Sequence, residues 1–258
     1  MTAKTPSIIS RLVWVSCLLL VVLLAAIIFG SSIGSSGNQI VSVLQVISGK
    51  SDPDSMLHTI IWRIRLPRVL LAALVGATLS LGGLVFQALL RNLLAEPYIL
   101  GISGGSAIGA IAGILLGFTR FPGVSLTAFL GSIVTLVLIL VMTSGPSVLK
   151  KESLLLSGVM VNAFCSSVIM FLVSLTQDAR LHNIIFWLMG DLSTADIHQV
   201  GLLAAMLLPC FMIIFRHSHA MNLLLMGKEM AQSTGLNIKV VTITLLVTSS
   251  FMVSVTVS

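Results

Sequence analysis

The sequence predicts an all-α membrane protein, a polytopic helical bundle, on three observations. Hydrophobic residues fill 57% of its 258 positions and charged residues only 9%, against about 45–50% and about 25% in ordinary soluble domains. Mean hydropathy is +1.12. Apolar runs recur that approach or exceed the roughly 20 residues a membrane-crossing helix needs. They are rich in Leu, Ala, Gly and Val and lack the period-two alternation of outer-membrane strands.

Seven runs are expected to span, at 12–29, 69–90, 98–118, 124–143, 154–175, 199–215 and 240–258, so that 1–258 forms a single transmembrane domain. Lys4 and Arg11 precede the first run, as they would in a cleaved signal. Its length of 18 residues exceeds the usual 7–15 of a signal core, and further spans follow, so it is expected to stay as an anchor. Residues 49–51 read Gly-Lys-Ser, the tail of a phosphate-binding loop. Leu44 stands where that motif needs glycine, and no strand leads in, which argues against nucleotide binding by this chain.

The second run opens on RIRLPR, residues 63–68. Two readings are open for its arginines: snorkelling to lipid headgroups, or a fixed docking site. Pro67 favours a defined entry, since proline suits a first helical turn and biases Leu66 toward an extended backbone. In the third run Gly101, Gly105, Gly109, Gly113 and Gly117 recur at four-residue spacing. Five helical glycines would cost roughly 4–5 kcal/mol against alanine on the aqueous scale. The pattern therefore predicts a close-packed helix–helix face, repeated by Ala72, Gly76 and Ser80 in the second run. The fourth run carries no mark beyond its length. Asn162 in the fifth places an amide at membrane depth, expected to face a neighbouring helix or a wet cavity.

Residues 178–198 set a short apolar stretch, IIFWLM, between polar flanks, which fits an outer surface helix or a re-entrant segment. Between the sixth and seventh runs, residues 221–239 carry charge that the runs lack. Gly227 and Gly235 act there as breakers around a short helix KEMAQST, a long connection suited to a partner. His217 and His219 have no third metal ligand nearby. Cys17, Cys165 and Cys210 lie inside apolar runs with no metal spacing and are expected to be packing residues. The net charge of +6 comes from loop cations that form no stripe with aromatics, which argues against nucleic acid. No nucleophile, base and acid converge, so an enzyme active site has no support.

With the N-terminus in the cytoplasm, eight cations fall inside and six outside, and three of the six are Arg63, Arg65 and Arg68. The positive-inside tendency favours this orientation, and the arginine cluster is what weakens it.

The stretch RLPRVLLAALVGATLSLGGLVFQALLRNLLAEPYILGISGGSAIGA, followed in order by LLLSGVMVNAF, WLMGDLS and MGKEMAQSTG, resembles the FecCD-type permease subunits of ABC importers for cobalamin, haem and iron-siderophore complexes. The resemblance covers about residues 55–258. It implies a homodimer of ten-helix subunits in the bacterial or archaeal cytoplasmic membrane. Two ATPase subunits would carry ATP and Mg on the cytoplasmic face, and an extracytoplasmic substrate-binding protein would dock outside. The permease itself would bind no cofactor. By position, Arg65 and Arg68 match outer arginines that pair with glutamates of the binding protein. Gly227, Lys228, Glu229, Ala231 and Gly235 fall in the segment gripped by the ATPase. Asn92 and Leu94 match positions that narrow the path at its inner end, and Asn162 lies on a helix resembling one that lines it. Two departures stand out. The family's Asn-Pro-Leu-Ala is here Asn92-Leu93-Leu94-Ala95, and the chain stops at Ser258, three helices short of the family pattern. The competing reading is a secondary transporter or channel. The absence of acidic or basic residues from the middles of the runs argues against ion coupling.

Overall fold

The computed structural model describes residues 8–33, 56–118, 122–142, 151–176, 178–193 and 195–258, and every regular element among them is helical. The order is α1 (Ile8–Ser32), α2 (Met56–Ile60), a π turn (Ile61–Arg65), α3 (Leu66–Leu90), a 3-10 turn (Pro97–Leu100), α4 (Ile102–Leu115), α5 (Gly123–Met142), α6 (Lys151–Leu175), α7 (Asp178–Met189), α8 (Ile197–Arg216), α9 (Ser218–Met226), α10 (Lys228–Ser233) and α11 (Ile238–Val257). The Gly-Lys-Ser stretch lies outside the described residues.

Among the described residues six helices are long and apolar enough to cross a membrane: Ile9–Ser32, His58–Leu90, Gly123–Met142, Ser153–Leu175, Ile197–Arg216 and Ile238–Val257. The third apolar run is the exception. Its helix, α4, has 14 residues, about 21 Å at 1.5 Å per residue, short of the roughly 30 Å hydrocarbon layer. Its start is delayed by the 3-10 turn and by Gly101 at φ 65, and Gly117 at φ 97 follows its end. Both glycines hold left-handed backbone that a side chain would strain.

The second run deviates in the opposite sense. Leu66 is helical, φ −62 and ψ −47, so Pro67 does not begin the helix. The π turn precedes it, with the Leu66 N–H donating to the Ile61 carbonyl. A wide turn beside proline relieves the clash of its ring with the preceding turn, and the helix runs on through it.

The chain forms two compact units. The first holds Met1–Ala73 with Leu192–Val200. In it α1 presents apolar side chains outward from Ile9 to Phe29, as a lipid-facing helix does. Its C-terminal end is buried at Ser31 and Ser32, and a Cβ on Gly30 would stand 3.3 Å from Val69 Cγ2.

The second unit holds Leu74–Asp191 with Gly201–Ser258. One buried cluster joins Val85 and Ala88 of α3 to Leu207 of α8, Met221 of α9, Ala231 of α10 and Leu245 of α11. Another gathers Phe86, Leu90, Leu100, Ile139 and Val161. A third seats Ile184 of α7 against Ile111 and Ile114 of α4 and Ala128 of α5. The 12-residue α7 is thus tied down by apolar burial.

Gly105, Gly109 and Gly113 form a contact face of α4 against α5. A Cβ on Gly105 would strike Thr135 Oγ1 and lie 2.7 Å from the Gly131 carbonyl oxygen. One on Gly109 would strike the Thr127 carbonyl oxygen, and one on Gly113 would strike Thr127 Oγ1. Gly131 of α5 is equally confined, with the Gly105 carbonyl and Gly109 Cα against it. Gly101 caps α4 from outside the helix and lies against α6, where its Cβ would sit 3.1 Å from the Asn162 backbone nitrogen. Among the described residues the second small-residue face expected from the sequence makes no such contact. Ala72, Gly76 and Ser80 are exposed, and a Cβ on Gly76 would meet nothing within 4 Å. Spacing marks where helices can approach, but only a partner of matching shape brings them together.

Candidate functional site

Outside the membrane-spanning part of α3, the arginines of RIRLPR have separate fates. Arg65 is half-buried and its Nη1 donates to the carbonyls of Ser31 at 3.0 Å and Ser32 at 3.3 Å. These are among the last acceptors of α1, which have no partner within their own helix and carry its negative dipole end. Arg68 is exposed and donates from Nη2 to the Ser193 carbonyl at 3.1 Å. Arg63 is exposed beside exposed Trp62, whose ring lies 6.2 Å from that of His58. Arg180 of α7 acts much as Arg65 does, donating at 2.6 Å to the carbonyl of Leu115, the last residue of α4.

The turn between α3 and the 3-10 turn is built by side chain as much as by backbone. Arg91 follows α3 at φ 48, the one non-glycine residue with positive φ among the described residues. The Asn92 N–H reaches back to the Gln87 carbonyl at 3.2 Å, closing the helix with a Schellman-type bond. Asn92 Oδ1 then accepts the Leu94 N–H at 3.0 Å, and the Asn92 carbonyl accepts the Ala95 N–H at 3.0 Å. Such an Asx turn holds the chain where the family pattern would use proline. Leu93 and Leu94 are left 84% and 83% exposed while Ala95 is buried at 1%. An open groove of about 410 Å³ runs beside this turn, lined by Leu79, Ser80, Gly83, Gln87 and Glu96 among others.

On α6, Val161 and Cys165 face the core and Asn162 is exposed. The hydroxyls of Ser166, Ser167 and Ser174 donate to carbonyls of α6 itself. Their donors are therefore satisfied locally, and Asn162 is the amide this exposed face offers.

The segment after α9 is a short helix between two glycines. Gly227 has φ 133 and ψ 148, and Gly235 has φ 79, neither comfortable for a side chain. Ala231 is fully buried, whereas Glu229 and Met230 are exposed. Glu229 sits in the first turn of α10, where the helix dipole favours a carboxylate. Gly227 to Gly235 is accordingly anchored through Ala231 with a polar outer surface. Among the described residues no three His, Cys, Asp or Glu come together as a metal cluster would require.

Sequence reasoning picked out the cations, the glycines and the α10 segment. It missed the backbone strain at Arg91, which no residue-type signal reveals, and the helix-capping use of Arg65 and Arg180, which depends on where two other helices end.

The sequence pattern of the FecCD transport family matches residues 18–258. The chain is 38% identical over 200 residues to the vitamin B12 import system permease protein BtuC of Salmonella arizonae, covering 77% of this chain and 60% of the relative. It is 37% identical over 200 residues to the corresponding Klebsiella pneumoniae protein, with the same coverage. It thus spans about 60% of the length of these relatives. Among solved structures, one described as an inward-facing conformation of a candidate metal-chelate type ABC transporter superposes with a TM-score of 0.81 at 26% identity. That match covers 93% of this chain and 73% of the other.

Proposed function

This chain belongs to the FecCD transport family, and from that premise we propose that it is permease sequence of an ABC importer, forming part of the path for a metal chelate across the cytoplasmic membrane. The observation that carries the reading is the family match over residues 18–258, which takes in both the inner turn and the α10 segment. The multi-pass architecture, with six helices able to span, supports it. On this reading 1–258 belongs to one permease domain that works as a homodimer with its N-terminus in the cytoplasm. The cargo favoured by the relatives is a corrinoid of the vitamin B12 class, with haem and ferric siderophores as the alternatives.

The segment from Gly227 to Gly235 meets the ATPase, which holds ATP and Mg and performs hydrolysis. Asn92 and Leu94 narrow the inner mouth, where the Asx turn keeps an exposed apolar side chain next to a fixed backbone. Asn162 offers an amide to the path. Outside, the arginines at the head of α3 meet acidic groups of a substrate-binding protein. The permease contributes shape and coupling and no bond-breaking step.

The test is uptake into vesicles holding the permease, its ATPase and its binding protein. ATP-dependent accumulation of labelled cyanocobalamin, above that of haem or a ferric siderophore, is expected. Uptake driven by an ion gradient without ATP would refute the reading.

A further inference from the structure

Resting on the permease reading above, we infer that Arg180 is a positioning residue for transport: by bonding to the end of α4 it makes α7 and α4 one body, so that α7 keeps a fixed register at the end of α6 while substrate passes. The last four carbonyls of α4, those of Ala112, Gly113, Ile114 and Leu115, have no partner within the helix. Three of them take backbone N–H groups of the turn that follows, Leu116 on Ala112 at 2.9 Å, Phe118 on Gly113 at 3.0 Å and Gly117 on Ile114 at 3.1 Å. Among the described residues the fourth, Leu115, is taken by Arg180 Nη1 at 2.6 Å, from 65 positions along the chain. A cation there meets the negative end of the helix dipole as well as the carbonyl.

Arg180 lies on the same stripe of α7 as its apolar seat, since positions 180, 184 and 187 recur at the spacing of one helix face. Ile184 is fully buried among Ile111 and Ile114 of α4 and Ala128 of α5, with Leu172 of α6 and Trp187 packed around it. The other side of α7 carries His182, Phe186 and Met189, all exposed. The joints at its two ends are short. Helix α6 ends at Leu175 and α7 begins at Asp178, and Gly190 at φ 82 follows Met189.

Apolar contact alone does not set the register of such a helix in a membrane. Lipid tails are as apolar as isoleucine, so a helix that slides or rolls out of its seat loses packing without exposing apolar surface to water. A charge-assisted hydrogen bond has a length and a direction, and it is stronger than a neutral one. It admits one arrangement, the first turn of α7 against the last residue of α4. Gly113 lies against Thr127, only four residues into α5, so the capped end of α4 stands within about one helical turn of that end of the bundle. There the exposed guanidinium holds the carbonyl while its other nitrogens reach water. Helix α6 carries Asn162, the amide proposed for the path, and passes almost directly into α7, so a shift of α7 moves the end of that helix.

The experiment uses the whole permease assembled with its ATPase in liposomes, together with the extracytoplasmic binding protein of the same transport system. Amide hydrogen exchange of residues 178–189 and ATP-driven uptake of labelled cyanocobalamin are measured on the same preparation. Arg180→Met, which keeps an unbranched side chain and removes its donors, should speed exchange across 178–189 at least about fivefold and leave α5 as in wild type. The maximal uptake rate should fall at least about threefold, with the half-saturating cyanocobalamin concentration within about twofold of wild type, because the residue touches no substrate. Arg180→Lys, which keeps a cation at the carbonyl, should restore part of both. His182→Ala, on the other side of α7, should leave exchange unchanged. If Arg180→Met exchanges like wild type, burial of Ile184 fixes α7 by itself and the inference is overturned. Fast exchange with a wild-type uptake rate overturns the positioning role, and a raised half-saturating concentration with unchanged exchange makes Arg180 a substrate contact instead. Absence of ATP-driven uptake by the wild type would sink the permease reading, and the exchange comparison would still decide whether Arg180 holds α7.

Discussion

Alanine at Gly109 should destabilise the protein, and alanine at Gly76 should not, although each adds one methyl group to a glycine in an apolar helix. A Cβ on Gly109 would collide with the Thr127 carbonyl oxygen, at 2.9 Å from the carbonyl carbon and 3.1 Å from Ala128 Cα. All three atoms belong to backbone, so no rotamer change relieves the contact and α4 must move off α5. Overpacking of this kind costs about 1–3 kcal/mol, and the axes cannot part without disturbing Gly105 and Gly131, which share the face. Against it stands the helical preference of alanine over glycine, about 1 kcal/mol on the aqueous scale. The net loss is up to about 2 kcal/mol, which at about 2–4 °C per kcal/mol for a chain of this size is up to several degrees. At Gly76 a Cβ meets nothing within 4 Å, so the preference acts alone and stability should hold or rise. Thermal unfolding of purified wild type, Gly109→Ala and Gly76→Ala in one detergent measures the difference. Equal melting temperatures for the two variants would refute the packing argument.

Arg91→Gly should raise the melting temperature by a few degrees, because left-handed backbone at φ 48 costs an ordinary residue roughly 1 kcal/mol that glycine avoids. A drop would mean that the arginine side chain contributes more to the fold than its backbone costs. Ser254→Ala should cost only about 0.6–1 kcal/mol, since it removes the buried bond between the Ser132 and Ser254 hydroxyls while Ser132 Oγ keeps the Phe129 carbonyl at 2.6 Å. Calorimetry or chemical unfolding in detergent would measure it. Glu229→Arg should abolish co-purification of the ATPase with membranes containing the permease while leaving insertion intact, because Glu229 is exposed on α10 and supports no buried contact. Undiminished pull-down would move the coupling contact elsewhere.

Composition and run length by themselves determine that this chain is helical and membrane-spanning, because the bilayer leaves a long apolar segment few other ways to satisfy its backbone. The order of four motifs carries the family for the same local reason: each is written in contiguous residues. Even the Gly105–Gly113 face is legible, since small residues every fourth position fall on one side of a helix. What needed the tertiary structure is everything set by a second element. Gly76 and Gly109 have the same spacing signature, and only the position of α5 makes one a contact and leaves the other open. Gly101 belongs to the repeat yet stands outside the helix, because the 3-10 turn and its left-handed backbone shorten α4. Pro67 reads as a helix start until the π turn absorbs it within a continuous helix. Leu93 leaves the turn after α3 without a proline, and the Asn92 side chain holds the turn instead. The arginines show the division most plainly. Sequence places three cations at one helix end, but which of them stays exposed is decided by where α1 stops, since the bare carbonyls of Ser31 and Ser32 take Arg65 and leave Arg63 in the open.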